Sequence, residues 1–364
     1  MNICLIGDGL TNLILAKILA NKNINVSLYF EYKKIRKSTS RTIGISKHNL
    51  DFFKSIFFGT EKIAWPIHSI QIFNELSQGE EILNFGSNDS KLFYTFKNDV
   101  LYSLVKKSIK KNKFIKKIII KKKSFYNSII KNNKFDLIIN SDSQNKISKE
   151  ILFKRINKNY KSVAFTTIIK HQNCTNNKAV QIFTKFGPLA FLPCSNSETS
   201  IVFSVLDKMK NQSEREIKKL IFKYNRFYKI NSFSNFEKFN LKFSVLRKYY
   251  HNNILCFGDS LHKIHPLAGQ GFNITLRDAK ILSELINEKI DLGLPLDSTI
   301  LKEFEFKTKH LNYIFSFGIN FIHEFFKFDN KYGKNYSKEI LKYLGKNKIF
   351  NKYVSKFADQ GITF

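Results

Sequence analysis

The chain has 364 residues, 43% of them hydrophobic, which is enough to bury a large core and excludes a disordered polypeptide. Its 61 Lys and Arg against 29 Asp and Glu give a formal net charge of +32, yet only seven of the basic residues are Arg. Sites that read phosphates or base edges favour the Arg fork, and Lys, Asn, Ile and Phe are inflated together, so the charge reads as compositional bias rather than as nucleic-acid binding.

A basic surface still suits an anionic membrane face. Cys4, Cys174, Cys194 and Cys256 have neither metal-like nor disulfide-framework spacing, which points to a reducing, cytoplasmic setting. The N-terminus enters directly into "NICLIGDGL", without the basic and apolar stretches of a signal peptide. No apolar run reaches the roughly 18–20 residues of a spanning helix. The nearest, "LNYIFSFGINFIHEFF" at 311–326, suits a core helix or an interfacial membrane helix.

In chain order, "NICLI" reads as a strand, "GDGLTN" as a tight turn, "LILAKILAN" as a helix and "VSLYF" as a second strand ending in Glu31. This βαβ start is the layout of a dinucleotide site. Gly7 and Gly9 let the backbone approach a pyrophosphate at the positive end of the helix, and Glu31 can accept from the ribose hydroxyls of an adenosine. Two positions depart from the usual fingerprint. Asn12 stands at the third glycine, which would hold the helix off the strand, and Asp8 sets a carboxylate beside the phosphate.

Residues 63–96 alternate and read as strands, and 98–111 read as a helix. "FIKKIIIKK", "SFYNSII" and "FDLIINSD" read as short strands, and 161–206 as an antiparallel sheet. The Lys-rich stretch 106–123 reads as a solvated face. Residues 213–228 are expected to be helical, "NILCFGD" to be a buried strand, and the segment after Asn273 to be an amphipathic helix. The remainder, 299–364, reads as mainly helical.

"FGDSLHKIHPLAGQGFN", at 257–273, admits four readings. Asp259, His262 and His265 could ligate a metal, although they sit in a loop and lack a completing ligand. They could form an acid–base pair, although no nucleophile elbow accompanies them. The segment could be a plain Gly-rich turn. It could also be a backbone device: Asp259 at a strand's carboxyl end accepts from a sugar or ribityl hydroxyl, Gly269 and Gly271 turn N–H groups toward one point, and the next helix aims its positive end there.

With its continuation "ITLRDAKIL", this segment resembles the second FAD motif of the class A flavoprotein aromatic hydroxylases, and "HPLAGQGFN" is similar to the ubiquinone-biosynthesis branch (UbiH/UbiF-type). "RTIGIS" at 41–46, "WPIHSIQIFNE" at 65–75 and "GPLAFLPC" at 187–194 resemble further segments of that branch. "FDLIINSDSQNKISKE" at 135–150 aligns with its Ala-Asp-Gly-x-x-Ser-x-x-Arg segment, with Asp142 as the acid and with Ser143, Lys146 and Lys149 as departures.

The resemblance implies FAD held by Gly7, Gly9, Asn12, Glu31, Arg41, Asp142, Gly258, Asp259, Pro266, Gly269, Gln270, Gly271 and Asn273, with His265 and Pro266 near the flavin and no metal. Pro188, Leu189, Phe191 and Pro193 would lie on the substrate side. It implies an α/β fold: a Rossmann-like (GR2-type) FAD-binding domain from 1–62, 94–152 and 246–300, an inserted antiparallel-sheet domain from 63–93 and 153–245, and a helical region from 301–364.

The implied activity is that of a monooxygenase hydroxylating the ring of a polyprenylated ubiquinone precursor with O2 through a flavin C4a-hydroperoxide. The reductant is NAD(P)H or an electron-transfer protein, and the departures at 143–149 bear on that choice. The enzyme would be peripheral on the inner face of the membrane, in contact with other ubiquinone-biosynthesis proteins. A hydroxylase of another aromatic substrate, or a non-catalytic scaffold, stands as the alternative.

Overall fold

In a computed structural model of the chain, residues 1–31, 40–75, 79–86, 91–121, 124–131, 134–206, 209–265 and 270–332 are described. Strand β1 (Asn2–Ile6) is buried along all but its first residue, as a strand covered on both faces must be. It leads into helix α1 (Leu10–Ala20) and strand β2 (Asn25–Glu31). There follow β3 (Thr42–Ser46), α2 (Lys47–Ile56), β4 (Trp65–Ile67), β5 (Ser69–Asn74), β6 (Glu81–Gly86), β7 (Phe93–Lys97), α3 (Asn98–Ser108), β8 (Ile115–Ile120), α4 (Phe125–Lys131) and β9 (Leu137–Asn140).

The long strand β10 (Arg155–His171) opens the second half, followed by β11 (Lys178–Thr184), β12 (Gly187–Pro193), β13 (Glu198–Leu206), α5 (Glu214–Tyr224), β14 (Ile230–Phe233) and β15 (Glu237–Leu246). Short strands β16 (Tyr250–His251), β17 (Ile254–Cys256) and β18 (His262–Lys263) precede the helices α6 (Gln270–Asp291) and α7 (Ser298–Tyr332).

Six strands form one sheet in the order β16-β17-β9-β1-β2-β8, parallel throughout except for the β16–β17 hairpin. Parallel strands need crossovers, and α1 supplies one: Leu13, Ile14, Leu15, Ile18 and Leu19 are buried in the core that the sheet shares with α6 and α7. The larger sheet runs β18-β15-β10-β13-β12-β11-β5-β6, with β14 on β10, and is antiparallel except where β11 meets β5. A small third sheet, β3-β7-β4, lies apart from both paths.

Three features differ from the sequence reading. "SFYNSII" is a helix, because Tyr126 and Ile129, three residues apart, bury one side of it. Strand β4 pairs with β7 rather than entering the large sheet, and β18, from the stretch assigned to the FAD domain, pairs with β15 of the large sheet. The helical expectation for 299–364 is met by α7 as far as Tyr332, and 333–364 lie outside the described residues.

The large sheet has two unlike faces. Leu189 and Phe191 of β12 pack with Phe203 and Val205 of β13 beneath Ile217 and Ile221 of α5. Helix α5 is itself fixed by a capping box between Ser213 and Glu216. Ala190 and Leu192 point the other way, toward Ile67 and Phe93 of the small sheet. The expectation that Leu189 and Phe191 line a substrate is therefore corrected: strand alternation turns them into a helix-covered core.

Pro193 is also spent on the scaffold, its carbonyl accepting from the Thr95 hydroxyl, and Pro188 pairs with Phe183 at the far end of β12. Phe191 is fully buried beside Phe227 and Tyr228, with ring centroids 6.0 and 5.9 Å away. Phe191→Ala is expected to lower stability by about 3–5 kcal/mol in denaturant unfolding while leaving cofactor uptake intact.

Candidate cofactor site

Parallel strands β2, β1, β9 and β17 all release their loops at the same edge of the six-stranded sheet, where open α/β sheets bind ligands. Gly7 follows β1 at φ +108°, and its N–H donates to the Tyr29 carbonyl at 2.7 Å. A Cβ there would stand 3.1 Å from Ser141 Oγ, so both the dihedral and the space call for glycine. Gly9 is the N-cap of α1, no side chain caps that helix end, and a Cβ at Gly9 would meet nothing within 4 Å. The first N–H groups of α1 thus have no side-chain cap, the condition for receiving a phosphate.

Asn12 bonds the helix to the strand end. Its Nδ2 donates to the carbonyls of Ile6 and Gly7, both at 2.8 Å, and the fully buried side chain stitches the turn to the strand. The carbonyl of Asp8 accepts from the Tyr102 hydroxyl at 3.4 Å. At the tip of β2, Glu31 Oε1 accepts from the Tyr126 hydroxyl at 3.0 Å.

The second loop arrives from β17. The Phe257 N–H donates to the Asn140 carbonyl at 2.9 Å, which continues the pairing of β17 with β9. Gly258 then turns at φ +58°, and a Cβ on it would stand 2.9 Å from Thr11 Cγ2 on the first turn of α1. The Gly258 turn therefore lies close against the Thr11 side chain on α1, and Asp259 emerges exposed after it. Ser260, next in the chain, shares a 2.8 Å hydroxyl contact with Ser148, which accepts from Asn140 Nδ2 at 2.8 Å. Asn145 and Asn140 exchange amide hydrogen bonds at 2.6 and 3.2 Å.

This buried network joins the 142–149 segment to the Asp259 turn. Asp142 Oδ1 caps its own loop by accepting from the Gln144 N–H at 2.8 Å. Two of the departures in this segment find partners: Ser143 Oγ accepts from Lys263 Nζ at 2.8 Å, and Lys146 reaches Asn127 Oδ1 at 3.0 Å and Glu150 at 3.4 Å.

The histidines are built into the frame. His262 is buried, with Nε2 3.4 Å from Asp278 Oδ2; Asp278 also meets Arg277 and Asn312, at 3.0 Å each. Burial opposes the ionised form of Asp278, but Arg277 and His262 outweigh it and hold this carboxyl below the usual aspartate range. His265 is buried edge-on against Tyr160, centroids 5.2 Å apart. Asp259, exposed, does not share these surroundings.

Arg41 lies over the Phe239 ring at 5.1 Å, and its neighbour Ser40 is bound to Thr166 at 2.8 Å, which anchors this segment on the large sheet. Gly271 sits within the first turn of α6, where a Cβ would make only an ordinary 3.5 Å contact with Ile264; it is a helical residue rather than part of a separate tight turn. Gln270 is described only as the first residue of α6, and Pro266 and Gly269 lie outside the described residues.

Asn273 is fully committed to the scaffold. Its Oδ1 accepts from the Ser46 N–H at 2.9 Å and from Asn49 Nδ2 at 3.1 Å, and its Nδ2 donates to the Gly44 carbonyl at 3.0 Å. It ties α6 to β3 and α2 instead of facing a ligand.

Residues 148–291 match the FAD binding domain family. Over 84% of its length the chain is 24% identical to the mitochondrial ubiquinone biosynthesis monooxygenase COQ6 of Dictyostelium discoideum, spanning 80% of that protein. It is 26% identical to the 3-demethoxyubiquinol 3-hydroxylase of Escherichia coli over 42% of its length and 40% of that enzyme's, so the bacterial match spans well under half of that relative. The chain is thus similar, at low identity, to FAD-dependent hydroxylases of ubiquinone biosynthesis. Its fold is that of the p-nitrophenol 4-monooxygenase PnpA of Pseudomonas putida, with a TM-score of 0.77, 12% identity and coverage of 99% and 98% of the two chains.

The residues fit FAD. The Gly7 cradle, the uncapped end of α1, the acid at the tip of β2 and the exposed acid after Gly258 supply, at one sheet edge, the donors and acceptors that a pyrophosphate and two polyols require.

Sequence reading missed the residues that hold this edge together. Tyr126 was hidden in a segment taken for a strand, and Thr11 carries no motif signal. The Asn140–Asn145–Ser148–Ser260 network joins residues as far as 120 positions apart by side-chain bonds that no periodicity records. Asn273→Ala is expected to lower stability by about 2–4 kcal/mol in denaturant unfolding, because it strands the Ser46 N–H and the Gly44 carbonyl. Gly258→Ala should instead weaken FAD uptake, followed by flavin fluorescence, because Thr11 must move.

Proposed function

We propose that the chain is an FAD-dependent monooxygenase that hydroxylates the aromatic ring of a polyprenylated ubiquinone precursor. The observation that carries this is the close approach of Gly258 to Thr11 on the first turn of α1, in a chain similar along most of its length to a ubiquinone-biosynthesis monooxygenase. In this reading the first turn of α1 takes the pyrophosphate, Glu31 the adenosine ribose, and Asp259 a ribityl hydroxyl. Arg41 and Asp142 flank the cofactor, and the N-terminal end of α6 faces the flavin carbonyl, where negative charge develops on reduction. When bound and reduced, FAD supplies the oxygen chemistry, for which the C4a-hydroperoxide is the proposed hydroxyl donor.

What the chain itself contributes is a dry, shaped wall. Strand register puts Ala190, Val202 and Thr166 side by side across β12, β13 and β10, and Ala164 opposite Phe239 of β15, all on the face away from α5. Arg41 lies over the Phe239 ring beside them, and Ile264, just before His265, packs on the same cluster as Ala164 and Val202. An apolar ring held there would be shielded from water, as hydroxylation of a ring by a reactive oxygen species requires.

A lipid-borne substrate calls for membrane contact. No helix among the described residues is long and apolar enough to cross a membrane. Helix α7 nevertheless exposes Phe306, Phe321 and Phe328, the first at 81% of its surface, in a strongly basic chain. Peripheral binding to an anionic leaflet is the proposed arrangement. Co-flotation of the purified protein with anionic liposomes is expected, and recovery of all the protein in the lipid-free fraction would count against it.

The purified protein should be yellow, with flavin near one per chain, and should restore quinone production in a hydroxylase-deficient strain. Asp259→Ala should lose the flavin. His262→Ala should stay yellow but melt at lower temperature, since it breaks the Asp278 cluster. A colourless protein that takes up no added FAD would favour the scaffold reading.

A further inference from the structure

The seven-residue helix α4 carries a side chain whose polar end serves the cofactor edge while its ring serves the core. Tyr126 is 2% exposed, and its ring belongs to the main hydrophobic cluster, beside Phe125 at a centroid distance of 6.1 Å. Phe125 in turn packs on Tyr29 at 4.7 Å, and Tyr29 lies two residues before Glu31 on β2. The ring therefore has little freedom to swing. Its hydroxyl donates to Glu31 Oε1 at 3.0 Å.

Burial, together with this hydrogen bond to Glu31, raises the tyrosine's affinity for its proton, so the hydroxyl stays a donor throughout the working pH range. A carboxylate at a strand tip can rotate about two side-chain torsions. Fixing one oxygen by a donor held in the core removes much of that freedom and still leaves acceptor lone pairs for another partner.

Resting on the assignment of Glu31 to the adenosine ribose, we propose that Tyr126 is a positioning residue for dinucleotide recognition. It holds the Glu31 carboxylate in the orientation that a ribose diol needs, and so sets how tightly the chain grips the adenosine half of FAD. Tyr126 acts through Glu31 and has no contact of its own with the flavin. Preorganisation of this kind raises affinity by removing an ordering cost from the binding step.

The test is a double-mutant cycle on the full chain stripped of flavin, with FAD affinity read by fluorescence titration. Tyr126→Phe keeps the ring and removes only the hydroxyl; it is expected to weaken FAD binding about tenfold, the scale of one hydrogen bond to a charged group. Glu31→Ala is expected to weaken it at least as much. In the Glu31→Ala background, adding Tyr126→Phe should change affinity by less than about twofold, because the group through which Tyr126 acts is gone.

Equal losses in both backgrounds would mean a general effect on folding or packing and would overturn the proposal. So would a Tyr126→Phe protein with wild-type affinity. A wild-type chain that binds no FAD would overturn the functional reading along with it, whereas tight wild-type binding with an insensitive Tyr126→Phe sinks the positioning role alone.

Discussion

Everything at the cofactor edge depends on one steric contact. Gly258 turns at a positive φ so near Thr11 that a Cβ on it would stand 2.9 Å from Thr11 Cγ2, so the loop leaving β17 lies close against the first turn of α1. Without that approach, the two halves of the site, which lie some 250 positions apart in the chain, would not face a common ligand. The surrounding interactions serve the contact. Asn12 ties the first turn down to β1, the Ser148–Ser260 hydroxyl pair ties the second down to the end of β9, and the Asn273 amide holds α6 against β3. Each uses a buried polar side chain whose partners are backbone or other buried polar groups, so each is costly to break and specific in direction.

The sequence conveyed the parts of this arrangement that are local. The βαβ start was legible because a short apolar strand, a Gly-x-Gly turn and a helical repeat lie within thirty residues, and the second glycine segment stood out for its composition. Non-local facts were not legible. Strand alternation within "GPLAFLPC" was visible, but which of its faces α5 would cover was not, and Leu189 and Phe191 were placed on the wrong side. "SFYNSII" fits either period because its seven residues are too few to separate 2 from 3.6. The partner of Asn273 lies 227 residues away, so an amide that looks like a ligand contact in a motif turns out to be a staple.

The departures from the family pattern have a similar explanation. Ser143, a departure when taken singly, accepts a hydrogen bond from Lys263 and so links the acidic loop to the strand after Asp259. Asn12 at the third glycine position likewise supplies two hydrogen bonds that tie α1 to the end of β1 and its turn. A motif can thus lose letters while its mechanical task is carried out by other atoms, which weakens any inference from eroded spelling to lost function.

The order of strands in the six-stranded sheet has a consequence for biosynthesis. Strand β9, from the first half of the chain, has β1 on one side and β17 on the other, and β17 is not made until all of the large sheet except β18 has been translated. Until residues 254–256 leave the ribosome, the growing domain carries a bare apolar strand edge and no second glycine turn. The N-terminal βαβ unit must therefore wait, partly open, through the synthesis of more than a hundred residues, and flavin capture becomes a late event that also marks completion of the fold. A ligand that bound only the completed fold would stabilise it by mass action.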